Sequence, residues 1–264
     1  MADSGCMARI KAAAGTAGCV PAAAAGERER AATARMVVAA LGGRYSTELG
    51  IDIDAGEDQV ERWFLAATLF GARIFASVAE RTYHVLARSG LTRIAQVRHL
   101  ASDELIALLD EGGYARYDFR MASRLLALAD LIGERYGGEV ARIGQRFTTY
   151  AGLRTALDAL PGWGEVTIRL FLRELRGVWP GARPPPDERA VAAARHLGLL
   201  PPAPAGAALP ALGELARLAG LDLRDLESGL VRLALEHGRR MTSCPGGPAC
   251  TALGAPGGAE PGRG

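Results

Sequence analysis

Lysine is almost missing from this chain of 264 residues. Lys11 is the only one, and every other member of the 31 basic residues is arginine. A guanidinium stays protonated near neutral pH, so arginine holds anions but cannot form an imine or serve as a tunable base. Beyond residue 11 the chain therefore has no side-chain amine for Schiff-base chemistry. An excess of one charge is missing too: 29 acidic residues offset the basic ones to a net charge of +2, so any basic site is a local arrangement and not a global field. No apolar run approaches the roughly 20 residues that cross a bilayer. The richest, WFLAATLF at 63–70, is soon followed by Arg73, and no membrane partner is expected. Cysteine is scarce: Cys6 and Cys19 near one end and Cys244 and Cys250 near the other make no disulfide framework for a chain of this length. That pattern points to a reducing cytoplasm.

What is present is helical periodicity. From about residue 30, apolar residues recur at spacings of three and four, and the only strand-like alternation is IDID at 51–54, so the chain reads as all-α. The spacing predicts helices over 29–41, 58–71, 74–88, 92–97, 103–110, 117–136, 153–160, 165–175, 188–197, 210–219 and 223–237. Glycine pairs at 42–43, 112–113 and 137–138 supply stops, and Ser102 is placed to cap the helix opening at Asp103. Residues 1–28 are Ala/Gly-rich without the apolar core of a secretory signal and are expected to form a disordered leader. The Pro/Gly-rich 241–264 is expected to be a flexible tail. Trp63 and Phe64 read as core, and His84, His99 and His196 as structural residues.

The most informative segment is LDALPGWGEVTIRLFLREL, 157–175. A short apolar helix ends at Leu160, the turn Pro161-Gly162-Trp163-Gly164 follows, and an amphipathic helix starts at once. Glycine permits a tight turn and close approach to a foreign surface. The unpaired amides opening the second helix lie at the positive end of its dipole, where a nucleic-acid phosphate can bind. Gly162, Trp163, Gly164 and Thr167 are the phosphate-binding candidates, with Leu160 and Trp163 anchoring the turn. Arg169, Arg173 and Arg176 share a face of the second helix; they form a phosphate-facing side or a solvated one paired to Glu165 and Glu174. The same segment also reads as a plain turn between packed helices.

The segment resembles the helix-hairpin-helix DNA glycosylases, the superfamily of endonuclease III and the adenine glycosylases. Their hairpin commonly reads LPGhG-x-x-T-A, which Leu160, Pro161, Gly162, Trp163, Gly164 and Thr167 match, with Ile168 in place of the Ala. In that family a catalytic Asp opens the next helix, which ends in an L-G-L-like sequence. Asp187 opens ERAVAAARHLGL here, so the resemblance implies that Asp187 is the catalytic carboxylate, although it is also placed as an ordinary N-cap. The stretch 112–140 is similar to the family's Gly, aromatic and basic helix, and ERWFLAATLFGARI to its first barrel helix. The resemblance spans roughly residues 57–250. It implies an all-α, two-domain glycosylase fold, with a helical barrel over 57–177 and a second domain from 29–56 plus 178–240. Its implied partner is DNA, as a duplex carrying a lesion, bound by a monomer associated with the nucleoid.

The departures from the family are specific. Bifunctional members carry a lysine two residues after the second hairpin glycine; Val166 stands there. The expected activity is therefore monofunctional hydrolysis of the bond between base and sugar, without strand cleavage, with Asp187 stabilising the cationic sugar of a flipped nucleotide and orienting water. A catalytically inactive DNA-binding or repair-partner module is the alternative. The family's helix-filling Gln has no counterpart, leaving Arg73 as a wedge candidate or a solvated charge, and Tyr114 and Tyr117 as base-pocket candidates or packing residues. The family's iron-sulfur loop has four cysteines. Here only the C-x5-C pair Cys244 and Cys250 follows His237-Gly238-Arg239, so no cluster, no metal and no cofactor are expected; His237 is the sole local candidate for a third zinc ligand.

Overall fold

The computed structural model describes residues 22–72, 74–114, 118–201 and 205–253. Among them the chain forms α-helices joined by turns and short 3-10 segments, and no strand. In order the helices are α1 (Ala22–Leu41), α2 (Tyr45–Glu48), α3 (Glu57–Phe70), α4 (Ala76–Arg88), α5 (Ser102–Gly112), α6 (Asp118–Tyr136), α7 (Ala141–Arg146), α8 (Tyr150–Asp158), α9 (Glu165–Glu174), α10 (Glu188–His196), α11 (Ala208–Ala219) and α12 (Leu223–His237). None is long and apolar enough to cross a membrane.

The apolar residues gather in two clusters. The larger runs from Leu49 to Ala182 and is centred on α3, whose Trp63, Phe64, Leu65 and Leu69 are all fully buried. A helix apolar on every side must be surrounded, and α4, α9, α7 and the turn at 53–55 pack around it. The smaller cluster joins Ala31, Ala34 and Val37 of α1 to α10, α11 and α12, and takes in Cys250 and Leu253.

Buried polar groups hold α2 to the end of α9 and tie α12 to the larger cluster. Glu174, fully buried at the end of α9, accepts the backbone N–H groups of Tyr45 and Ser46 at 3.0 and 3.1 Å. Arg224 on α12 donates to Asp54 at 2.7 and 2.9 Å, to Asp222 at 2.6 Å and to the carbonyl of Glu174 at 3.2 Å. Burial pushes the Glu174 carboxyl above its ordinary range, and the Arg224 guanidinium holds Asp54 below its own.

The structure tests several sequence expectations. The all-α reading holds at IDID: Ile51 and Ile53 are both buried, and Ile53–Ala55 is a 3-10 turn in which Asp52 accepts the N–H of Asp54. A two-residue period can be satisfied by one turn whose apolar residues face the same core. Helix α1 starts at Ala22, so residues 22–28 of the expected leader are helical. Ser102 is the first residue of α5 and makes no cap; the N-cap is Ala101, and Asp103 and Glu104 in the first turn complement the helix dipole instead. Residues 241–253 of the expected tail form short 3-10 turns, because Cys250 and Leu253 bury their side chains in the smaller cluster. Helices α2 and α7 were not anticipated; with four and six residues they are too short to show a period.

Candidate functional site

Helices α8 and α9 pack together, and the turn between them is shaped from within. The Trp163 amide donates to the Leu160 carbonyl at 3.1 Å. The indole is buried, stacked on Phe64 with centroids 4.5 Å apart and edge-on to Phe171 at 5.1 Å, and its Nε1–H donates to Thr68 Oγ1 at 3.2 Å. Such aromatic pairs contribute about 0.5–1.5 kcal/mol each beyond the area they bury. Trp163 thus fixes the turn, and neither its ring nor its amide faces outward, which removes it from the phosphate-binding candidates. Thr167 is also buried, pressed against the Cα of Gly71 so closely that a Cβ there would lie 2.0 Å from Thr167 Oγ1. It locks the hairpin helix to the end of α3 and does not face a ligand.

Gly162 and Gly164 are exposed. Gly162 has φ +76°, and the Arg124 side chain lies over it where any Cβ would clash at 2.1 Å. Gly164 is the N-cap of α9 without a side chain to offer, so the amides of the first turn of α9 have neither an intrahelical acceptor nor a side-chain cap. Beside them lies a groove of about 610 Å³ lined by Gly71, Arg120, Arg124, Gly162, Gly164 and Val166 among others. Tyr114 backs this groove, but it is buried and its hydroxyl donates to the Leu69 carbonyl at 2.8 Å. It is a packing residue; an aromatic next to a glycine pair carries no periodicity that tells inside from outside. The wedge candidate Arg73 and the pocket candidate Tyr117 lie outside the described residues, as do Cys6 and Cys19.

A second cleft of about 340 Å³ adjoins the groove, sharing Ile74, Glu165 and Val166 with it. Asp187 lines this cleft together with Arg169, Arg173, Arg189 and Tyr45. Val166, 61% exposed, stands between the two hollows. Asp187 is the N-cap of α10: its Oδ1 accepts the Arg189 N–H at 2.9 Å, and its own N–H donates to Glu227 at 3.0 Å. The three prolines 184–186 keep the approach extended, so the helix starts where the carboxylate can cap it.

The arginines of α9 and of the turn after it divide. Arg169 is bound to Glu165 at 2.7 Å, and Glu165 also accepts from Arg154 at 3.2 Å; these contacts, Arg169 foremost, hold the Glu165 carboxyl below its ordinary value. Arg176 pairs with Glu227 at 3.2 Å. Arg173 is 4% exposed, lines the cleft, and has Nε and Nη2 without a hydrogen-bond partner. Those two nitrogens are buried, and the Arg173 charge faces the neighbouring Glu174 carboxylate, whose rise it opposes.

Sequence reasoning missed two residues here. Phe75, the N-cap of α4, is 81% exposed between the cleft-lining Ile74 and Ala76. Glu227 fixes Asp187 from forty residues away. The spacing placed Phe75 inside a helix predicted over 74–88, so nothing in the sequence marked it as exposed.

A further cluster lies at the C-terminal ends of α10 and α12, where His196, His237, Cys244 and Cys250 converge. Sequence spacing offered only His237 beside the two cysteines and treated His196 as structural; the packing of α10 on α12 adds it. The amide of Gly246, aided by that of Thr251, draws the Cys244 thiol down to about 5, while burial raises that of Cys250. Cys244 and Cys250 are the only cysteines among the described residues.

No protein-family model matches the chain, and comparison with curated proteins finds no match.

Proposed function

We propose that the chain is a monofunctional base-excision DNA glycosylase, which hydrolyses the bond between a flipped damaged or mismatched base and its sugar. The observation that carries this reading is the cleft itself: Asp187, the Arg173 side chain and the first turn of the hairpin helix α9 line one hollow. A DNA backbone would run along the groove at Gly162 and Gly164, one phosphate on the α9 amides, with Arg120 and Arg124 alongside. Phe75, exposed on the rim, would enter the space left by the extruded base. The flipped nucleotide would enter the cleft, its phosphate neutralised by Arg173. As the base departs with the bonding electrons, positive charge grows on the sugar, and the Asp187 carboxylate stabilises it and takes a proton from the attacking water. Val166 offers no amine, so no covalent enzyme–DNA intermediate forms and the strand stays intact.

One observation favours the second reading, a binding module without chemistry: Asp187 already spends one carboxylate oxygen as an N-cap. Incubation with duplexes carrying a panel of lesions, with and without alkali, separates the two. Strand breaks only after alkali support the glycosylase; binding without abasic sites across the panel supports the module. Breaks without alkali would contradict the monofunctional mechanism.

A further inference from the structure

We infer that His196, His237, Cys244 and Cys250 form a structural zinc site that pins the C-terminal segment to the ends of α10 and α12. The four side chains come from three separate pieces of chain, yet their potential ligand atoms all lie within 4.8 Å of one another. Cys250 Sγ stands 3.7 Å from His237 Nε2. In a tetrahedral zinc site, with Zn–S near 2.3 Å and Zn–N near 2.05 Å, the S···N edge is about 3.5 Å, so this pair already has the required separation. Two imidazoles and two thiolates are a standard closed donor set for zinc, leaving no open position for substrate.

Independent features of the surroundings point to a cation. His196 Nε2 is buried and has no hydrogen-bond partner. An orphaned buried ring nitrogen is costly if nothing binds it, and a metal ion needs just such a lone pair. His237 and Cys250 are almost wholly buried, so the cluster is not a chance meeting of surface groups. Both histidines are the last residues of their helices, which directs the negative ends of two helix dipoles at the same point. The Thr251 amide donates to Cys244 Sγ at 3.4 Å, the kind of contact that stabilises a metal-bound thiolate. The turn after Cys244 wraps onto α10: Gly246 has φ +72°, and a Cβ there would lie 2.3 Å from the carbonyl oxygen of His196. The tight turn therefore places Cys244 beside His196 and admits only glycine.

The bound ion would reinforce the packing of this segment on α1 and α12. Residues 238–253 contain only 3-10 turns, with Cys250 and Leu253 as their buried apolar residues.

The test uses the full chain, purified without chelators and analysed for metals by plasma mass spectrometry, then stripped and titrated with zinc or cobalt(II). The inference expects about one zinc per chain and, with cobalt, the intense visible bands of a tetrahedral ion with thiolate charge transfer. His196→Gln and Cys250→Ser should weaken zinc binding by more than about 100-fold. Should either fail to fold, Cys244→Ser, on the half-exposed turn, reads the same loss with helical content retained by circular dichroism. Protein that carries no metal and gives no tetrahedral cobalt spectrum overturns the inference. So does a Cys244–Cys250 disulfide in protein purified under reducing conditions, or stoichiometric zinc that survives replacement of His196.

Discussion

The Glu227 carboxylate receives the backbone N–H of Asp187 on one oxygen at 3.0 Å and faces Arg176 with the other at 3.2 Å. Glu227 is 1% exposed, so this one buried charge joins α12, the end of α9 and the first residue of α10's cap. Its removal should do two things at once. Glu227→Ala leaves the Arg176 guanidinium and the Asp187 amide unpaired in a buried place, a loss of about 3–5 kcal/mol. Glu227→Gln keeps an acceptor for the amide and should cost clearly less. Denaturant unfolding of the two variants checks the order, and equal losses would mean that the contact to Asp187 contributes nothing.

Asp187 itself can be separated into cap and chemistry. Asparagine caps a helix about as well as aspartate, whereas alanine costs about 1 kcal/mol. Asp187→Asn should therefore unfold with the parent protein and lose base excision by about 100-fold or more, since an amide neither stabilises a cationic sugar nor accepts a proton from water. Asp187→Ala should lose both. Full excision by Asp187→Asn, on whichever lesion proves to be the substrate, would sink the proposed mechanism.

How much of this was legible in the sequence depends on how far apart the partners lie. The hairpin was readable because Pro161 to Gly164 interrupts two helical periods, and Asp187 because three prolines precede it. The burial of Trp163 followed from its place between two apolar helices. Glu227, in contrast, looks like any polar residue of an amphipathic helix; only the crossing of α12 past the end of α9 turns it inward. His196 is in the same position, more than forty residues from the cysteines it meets, with no spacing pattern to link them. Thr167, one turn into α9, reads as a residue that packs back toward the turn as well as a phosphate-binding candidate, and its buried side chain does the packing. Its side chain fills the hollow above Gly71 and does not face solvent.

Phe75 offers a clean test of the groove as a DNA surface. At 81% exposure its ring contributes little to folding, so Phe75→Ala should leave stability within about 0.5 kcal/mol of the parent. If the ring inserts beside an extruded nucleotide, the same change should weaken binding to a duplex with an abasic site roughly tenfold, matching the ~1–3 kcal/mol of a base–aromatic contact. Fluorescence anisotropy with labelled duplex measures this. Unchanged affinity would place the bent or opened DNA away from the loop after α3.

Val166 allows a gain of function to be sought. It is exposed in the first turn of α9 and lines both hollows, and lysine is at least as good a helix former as valine, so Val166→Lys should fold normally. If Asp187 acts on a bound sugar in this cleft, as proposed, an amine at position 166 would face the same sugar. Borohydride should then trap a covalent protein–DNA complex on a duplex with an abasic site, well above the level seen with the parent protein, which has no amine at this position. If excision persists in the variant and nothing is trapped, the scissile sugar does not lie beside residue 166.

The pH dependence of stability should report Glu61. This carboxyl sits within the larger cluster, 5% exposed, where one oxygen accepts the Val140 N–H and the other has no partner. Burial foremost, with the nearby Glu139 and Glu57 adding to it, lifts its pKa from 4.5 to about 7. The unfolded chain releases this proton near pH 4.5 while the folded chain holds it to about pH 7. Between those values the folded state binds more protons, so stability falls as pH rises and levels off above 7. At about 1.4 kcal/mol per unit, the full effect is about 3 kcal/mol. Other groups titrate over the same scale. Glu174, also raised by burial, acts in the same direction, and the paired Asp54 and Asp222 lose their contribution only in more acid solution. The difference between the parent and Glu61→Gln isolates Glu61, because glutamine keeps the acceptor for Val140 and cannot ionise. Glu61→Gln should match the parent near pH 4.5 and exceed it in stability at pH 8. Parallel curves in urea unfolding across that range would mean that Glu61 ionises as readily in the folded protein as in the unfolded chain.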